Sequence, residues 1–305
     1  MIMNSRRNFL GSAAAAGSLS LIPNAKAAPT LPTVKLGKWE VSRLILGANP
    51  LYGYSHCSRL LDQHLREWCT QDQVMEVLRM AEANGINTWQ VHYGSREMSD
   101  LKRMLAEGRK LQWILLAMGE TMTNFSLLKE VAKMQPIGIV HHGGVTDNLF
   151  RAGQTDKIRD FLKAVRDTGV MVGLSTHNPA VVDTAESQNW DIDFYMTCFY
   201  LQSRTREDLK KILGDELPVG ETYLEGDPVR MCRMIQQTKK TCLAFKILAA
   251  GRLINSPKMV EERIRFAVEN IKPKDCVIMG MYPRFRDEVA ENATIFRRVV
   301  GGQKA

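Results

Sequence analysis

The chain has 305 residues, 45% of them hydrophobic and 24% charged, with a formal net charge of +8. That balance excludes a disordered or collagen-like chain, and the length suits either two small domains or one large barrel. Its basic residues are scattered and often adjoin acids, as in Arg204-Thr205-Arg206-Glu207-Asp208. A nucleic-acid partner would need a basic stripe with interleaved aromatics, so none is expected.

The first residues read as a leader that is removed. Ser5-Arg6-Arg7-Asn8-Phe9-Leu10 sets paired arginines before a small-residue apolar stretch from Ala13 to Ile22, and Ala25-Lys26-Ala27 offers a cleavage site. This is the layout of a twin-arginine export signal over residues 1–27, with the export machinery as partner and a periplasmic or other extracytoplasmic destination. The apolar stretch is too short and too rich in Gly and Ser to span about 30 Å of hydrocarbon. No cysteine near the cleavage point could carry a lipid, so no stable membrane anchor is expected. Loss of Arg6, Arg7 and Lys26 with the leader lowers the net charge from +8 to +5.

Beyond a linker over residues 28–34, β-like apolar runs alternate with amphipathic helical segments. Thr33 to Leu44 reads as a hairpin closing a barrel bottom, with Gly37-Lys38 at its turn. Leu44 to Leu46 is a first strand. Thr70 is an N-cap for a helix through Val74, Val77, Leu78 and Ala81, which Gly85 ends. Ile86 to Val91, Trp113 to Ala117, Ile137 to Val140, Val170 to Leu174, Asp193 to Thr197, Leu243 to Leu248 and Val277 to Met279 make eight strands in all. Eight βα units point to one (β/α)8 barrel over residues 35–300. Tyr200 to Asp227 is the longest connection and the best candidate for a loop over an active site. Of six cysteines, Cys198, Cys242 and Cys276 read as lying in buried strands; the spacing does not support a disulfide framework, and one bridge, Cys57–Cys69, could form.

Several segments follow one another in the order of a known family. They are Lys35 to Gly47, Gly85-Ile86-Asn87-Thr88-Trp89 with Tyr93-Gly94-Ser95-Arg96-Glu97, Ile139-Val140-His141, and Val172-Gly173-Leu174-Ser175-Thr176-His177. Ala244-Phe245-Lys246-Ile247-Leu248 and Ile278-Met279-Gly280 through Glu291-Asn292 complete the series. The chain resembles the aldo/keto reductases. That resemblance implies an oxidoreductase for a small carbonyl, polyol or sugar-like substrate, with NADP(H) as cofactor. It implies His141 and Tyr93 as catalytic residues; Gln90, and His92 from its place at a strand end, are the further catalytic candidates. It implies Ser175, Phe245 and Lys246 at the cofactor, and Arg284, Arg286, Glu291 and Asn292 at its phosphate end. Gln90 stands where the family has its aspartate, and Ala117-Met118-Gly119 has no lysine at the family's position. A tyrosine without that cation loses the group that makes it a competent acid at neutral pH.

Read without the family, four of the six histidines fall at strand ends, where barrels keep their active sites. His92, His141, His142 and His177, with Asn49, Asn178 and Glu120 nearby, could bind a substrate. His92, His141, His177 and Glu120 could instead hold a divalent cation. His141 is expected to point at the barrel mouth and to be needed for activity. Lys246 could form a Schiff base or act as a point charge toward an anion. Outside the cytoplasm a freely exchanging NADPH would not be regenerated, so a nicotinamide would be tightly held or absent. The alternatives to a reductase are therefore a metal-dependent or cofactor-free lyase, isomerase or hydrolase, and a non-catalytic binding protein.

Overall fold

Period-two alternation in short apolar strands lets every second side chain fill a barrel while its neighbours meet the helices outside. The structure is a computed structural model and describes residues 30–302. The expected leader and the start of the linker lie outside the described residues.

The elements begin with β1 (Thr33–Leu36), β2 (Trp39–Ser42), β3 (Leu44–Gly47), α1 (Arg59–Trp68), α2 (Gln71–Ala83), β4 (Thr88–His92) and α3 (Ser95–Ala106). They continue with β5 (Gln112–Leu116), α4 (Ser126–Ala132), β6 (Gly138–His141), α5 (Gly143–Arg151), α6 (Thr155–Arg166), β7 (Met171–Thr176) and α7 (Pro179–Ser187). The last are β8 (Phe194–Cys198), α8 (Arg206–Leu213), α9 (Asp227–Gln237), β9 (Thr241–Phe245), α10 (Pro257–Asn270), β10 (Cys276–Gly280) and α11 (Glu288–Gly301). Strands β3 to β10 pair in parallel and close into a barrel through β10 and β3. This is a (β/α)8 barrel.

Ile45, Ile114, Val140, Phe194, Met196, Leu243 and Ile278 fill the lumen. Leu44, Leu46, Trp89, Val91, Ile139 and Leu174 face the helices. The Phe194 ring takes the lumen space that Gly138 and Gly173 leave: a Cβ on Gly173 would lie 2.8 Å from its Cζ. The hairpin forms as expected. Leu36 pairs with Trp39, Gly37 turns at φ +58°, and Leu36 and Val41 close the lumen from below. A cavity of about 440 Å³ lies at this N-terminal face, lined by Lys38, Trp39, Ile137 and Met171 among others. It is remote from the strand ends that carry the polar residues.

Helix α2 starts where the sequence places it, with the Thr70 hydroxyl accepting from the Gln73 N–H at 3.4 Å. Strand β9 stops three residues before the expected end, because Lys246 turns left-handed at φ +59°. The expected Cys57–Cys69 bridge is corrected: both are free thiols, Cys57 exposed and Cys69 buried. Burial pushes the Cys69 thiol up to about 12, so it packs as a small apolar group. Among the described residues no helix is long and apolar enough to cross a membrane.

Candidate active site

Inward alternation brings Gln90, His92, Ser175 and Phe245 to the C-terminal mouth, joined by His142 and His177 just beyond β6 and β7. The central feature is His177. Its Nδ1 lies 2.8 Å from Asp147 Oδ2, and the same carboxylate accepts the His177 backbone N–H at 3.1 Å and the Thr176 hydroxyl at 2.5 Å. An ionised carboxylate only accepts, so Nδ1 carries the proton and Nε2 is left as a free lone pair. Asp147 is 2% exposed and His177 15% exposed at the side chain, so the buried acid holds a half-open imidazole. Gly143 permits the approach of α5: a Cβ there would sit 2.9 Å from Ser175 Oγ and 3.2 Å from His177 Cε1.

His142 caps α5 with its ring, Nδ1 accepting the Val145 N–H at 3.4 Å. Its neutral form therefore carries the proton on Nε2. Burial, then the nearby His177 and His92, push its pKa down to about 4. His142 is a neutral donor at physiological pH, beside an imidazole with a free lone pair.

His92 is committed to the protein. Its Nε2 meets Glu97 Oε1 at 2.8 Å, and its ring lies edge-on to Tyr52 and Tyr54 at 5.4 and 4.8 Å. Burial alone would raise the Glu97 carboxyl. The hydrogen bonds from His92 and from the Glu97 backbone N–H, with the charge of Arg96, outweigh burial and hold it below the usual range.

His141 does not point at the mouth. On β6 it shares a face with Ile139, opposite Val140, and so lies among the helices. Its Nδ1 is 2.6 Å from the Thr146 hydroxyl, which itself donates to the His142 carbonyl at 3.0 Å, and its ring is edge-on to Phe161. The physical reason is strand alternation: of two adjacent histidines only one can face inward, and that one is His142. His141→Ala is expected to cost about 2–3 kcal/mol through the lost buried hydrogen bond and ring packing, with turnover kept by the folded fraction. Denaturant unfolding alongside kinetics checks it; loss of turnover in a fully folded variant would restore the catalytic reading.

Burial also pushes the His141 pKa down to about 3. In the unfolded chain both histidines titrate near ~6.5. Below that pH the unfolded state binds more protons than the folded one, so stability falls as pH drops, until the folded pKa values are reached. The slope should approach ~1.4 kcal/mol per pH unit for His141, and less for the half-buried His142. Urea unfolding at pH 7.5 and 5 measures it, and equal stability at the two values would contradict it.

The other expected site residues separate into groups. Asn49 Nδ2 donates to His56 Nε2 at 3.1 Å, which leaves His56 Nδ1 to donate to Glu221 Oε1 at 2.7 Å. Lys246 Nζ donates to Gln202 Oε1 at 2.6 Å, and Gln202 Nε2 donates to Glu221 Oε2 at 3.1 Å. Asn178 caps α7, accepting from the Ala180 N–H. Tyr93 packs half-buried against the outer core. Arg286 pairs with Glu291 near the start of α11, Asn292 is buried on that helix, and Arg284 Nη1 lies 3.3 Å from His64 Nε2. Glu120 is exposed in a short turn. Among the described residues no group of three or more His, Cys, Asp or Glu is arranged to hold a metal ion. His141 faces away, His92 is bound to Glu97, and Glu120 is at the surface.

Sequence reasoning missed Asp147, Glu221, Gln202 and His56. Only Asp147 left a signal, as an acid on the buried face of a short amphipathic helix. His56 lies in the loop between β3 and α1, and the long connection carries Gln202 and Glu221. Its ends are tied by a buried ion pair, in which Arg204 holds both Asp227 oxygens and donates to the Leu201 carbonyl. That clasp sets Gln202 and Glu221 over the mouth.

No family model matches the chain, and no curated protein matches it in sequence. Solved structures do match. The apoform of Gox0644 aligns at TM-score 0.56 and 11% identity, over 88% of this chain and 89% of that one. Glycerol dehydrogenase AKR11B4 from Gluconobacter oxydans aligns at TM-score 0.52 and 13% identity, over 88% and 94%. A truncated 3-deoxy-D-arabino-heptulosonate 7-phosphate synthase from Thermotoga maritima aligns at 0.50 and 13%, over 90% and 92%. Such likeness shows the barrel fold alone, and barrels host many chemistries.

Proposed function

We propose that the barrel mouth is the active site of an acid–base enzyme acting on a small hydroxy-carbonyl or sugar-like substrate. His177, held by Asp147, carries this reading. Its Nε2 takes a proton from the carbon or hydroxyl beside a carbonyl, and the neutral His142 donates Nε2–H to the carbonyl oxygen as charge develops there. Return of the proton to the same or the adjacent carbon gives epimerisation or isomerisation without net redox change. Incubating short aldoses, ketoses and their acids with the protein in D2O tests it. Enzyme-dependent deuterium at the carbon beside the carbonyl is the expected result, and no exchange in any of them would defeat the reading.

A nicotinamide-dependent reductase is the second reading, favoured by Ser175 and Phe245, which face the same gap as His177; the Phe245 and His177 rings are 5.7 Å apart. In that reading Ser175 and Phe245 would hold a nicotinamide, and Arg284 and Arg286, with Glu291 and Asn292 beside them, would hold its phosphate. A bound NADP(H) would supply a hydride. Phe245→Ala should weaken NADPH binding by about 1–2 kcal/mol, the scale of a lost aromatic contact and its buried area. Calorimetry with no heat from either NADH or NADPH would remove this reading. The glycerol dehydrogenase neighbour is an aldo/keto reductase by name, which agrees with it at the level of fold.

The paired arginines support export through the twin-arginine route. Replacing Arg6 and Arg7 with Lys should leave precursor in the cytoplasm, seen by fractionation; unchanged export would refute that route.

A further inference from the structure

We infer that Lys246 and Gln202 form an anion-recognition site at the mouth, and that the substrate carries a carboxylate beside its reacting carbon. This rests on the acid–base reading and adds the class of substrate. The backbone turns left-handed at Lys246, at φ +59°, and again at Ala249 and Ala250, both at φ +50°. None of the three is glycine, and strain of this kind persists only where the surroundings enforce it. The turn takes the ammonium out of the strand and sets it close enough to His142 to depress that imidazole.

The charge there is incompletely matched. Among the described residues no carboxylate lies within ion-pair distance of Lys246 Nζ; its hydrogen-bond partner is the neutral Gln202 amide oxygen at 2.6 Å. Glu221, the acid behind Gln202, already accepts from His56, from the Tyr223 hydroxyl at 2.7 Å and from Gln202 itself. His56 and the cation of Arg252, which lies over the Tyr223 ring, complete that cluster. Burial lowers the lysine pKa, and the charge of Glu221, which acts in the opposite sense, does not fully offset it. A half-buried ammonium with an exchangeable amide partner suits an incoming anion. A single ammonium beside one primary amide suits a monoanionic carboxylate better than a phosphate dianion. The carboxylate would also sit against the carbon that His177 and His142 work on.

The test is binding by calorimetry with matched pairs, glycerate against glycerol and gluconate against glucitol. Glycerol 3-phosphate and NADP+ form the phosphate and pyrophosphate arms. Wild type should prefer each acid over its neutral partner by about ten- to a hundredfold, the factor that a hydrogen bond to a charged group carries. Added salt should reduce that preference. Lys246→Met should abolish it and Lys246→Arg should keep most of it, with circular dichroism confirming that both fold. Equal binding of acid and neutral partner, preference for either phosphate arm, or selectivity that survives Lys246→Met would each overturn the inference. Deuterium exchange, measured with the aldoses, ketoses and acids named above, separates the two ideas. Lys246-dependent acid binding without exchange removes the acid–base reading and leaves this site standing. Exchange on neutral sugars without acid preference does the reverse.

Discussion

His177→Gln is expected to lower turnover by about a hundred- to ten-thousandfold while the protein stays folded, the range that a positioned general base supplies. The argument is one of proton inventory. Asp147 fixes the proton on Nδ1, so Nε2 is a basic nitrogen with no hydrogen-bond partner among the described residues. Glutamine keeps a donor toward Asp147 and roughly the same volume, and removes the base. Asp147→Asn should show the same direction of defect, because an amide can donate to Nδ1 and turn the imidazole to the wrong tautomer. Substrate affinity should change little in either variant, since uniform binding is carried elsewhere. Proton exchange into substrate is the decisive readout: exchange at the wild-type rate in His177→Gln would show that another group is the base. His64 is a suitable control, because its ring is engaged on α1 with Tyr282 and Phe285, away from the mouth.

The second large effect is expected at the clasp of the long connection. Asp227→Ala should destabilise the protein by about 3–5 kcal/mol, because it leaves the buried Arg204 guanidinium without its counter-ion. The side chains of Arg204 and Asp227 are 4% and 1% exposed, so little solvent reaches the pair. The Leu201 N–H, 3.2 Å from Asp227 Oδ2, loses its acceptor as well. Removing both charged partners together should recover part of the loss, as a double-mutant cycle would show. Function should suffer in the same variant. Gln202 and Glu221 ride on this connection, so its release would uncouple Lys246 and His56 and raise KM more than it lowers kcat. Denaturant unfolding that shifts by less than about 1 kcal/mol would mean that the pair is solvated in solution, in the range of surface ion pairs.

The barrel itself was legible in the sequence. Thr70, the apolar spacing through Ala81 and the terminator Gly85 define α2 by local chemistry alone, and alternating apolar runs mark the strands to within a few residues. The Gly37-Lys38 turn was legible for the same reason: a left-handed residue in a two-residue loop constrains its identity. The end of β9 was not, since Ile247 and Leu248 continue the apolar run and nothing local announces the left-handed turn at Lys246.

The site was legible only as a neighbourhood. Counting residues locates His92, His142 and His177 at strand ends, because the βα repeat fixes which end of each strand carries function. What each imidazole does depends on partners that no spacing reveals. Asp147 reaches His177 from 30 residues away, Glu221 reaches His56 from 165 away, and Lys246 meets Gln202 from 44 away. The choice between His141 and His142 turned on a single residue of strand register, which sends one ring into the helix layer and the other to the mouth. Local sequence therefore determined which elements form and which end of the barrel is polar. Tertiary contact decided the partner, the tautomer and the burial of each histidine, because a tautomer and a pKa are set by the atoms brought alongside.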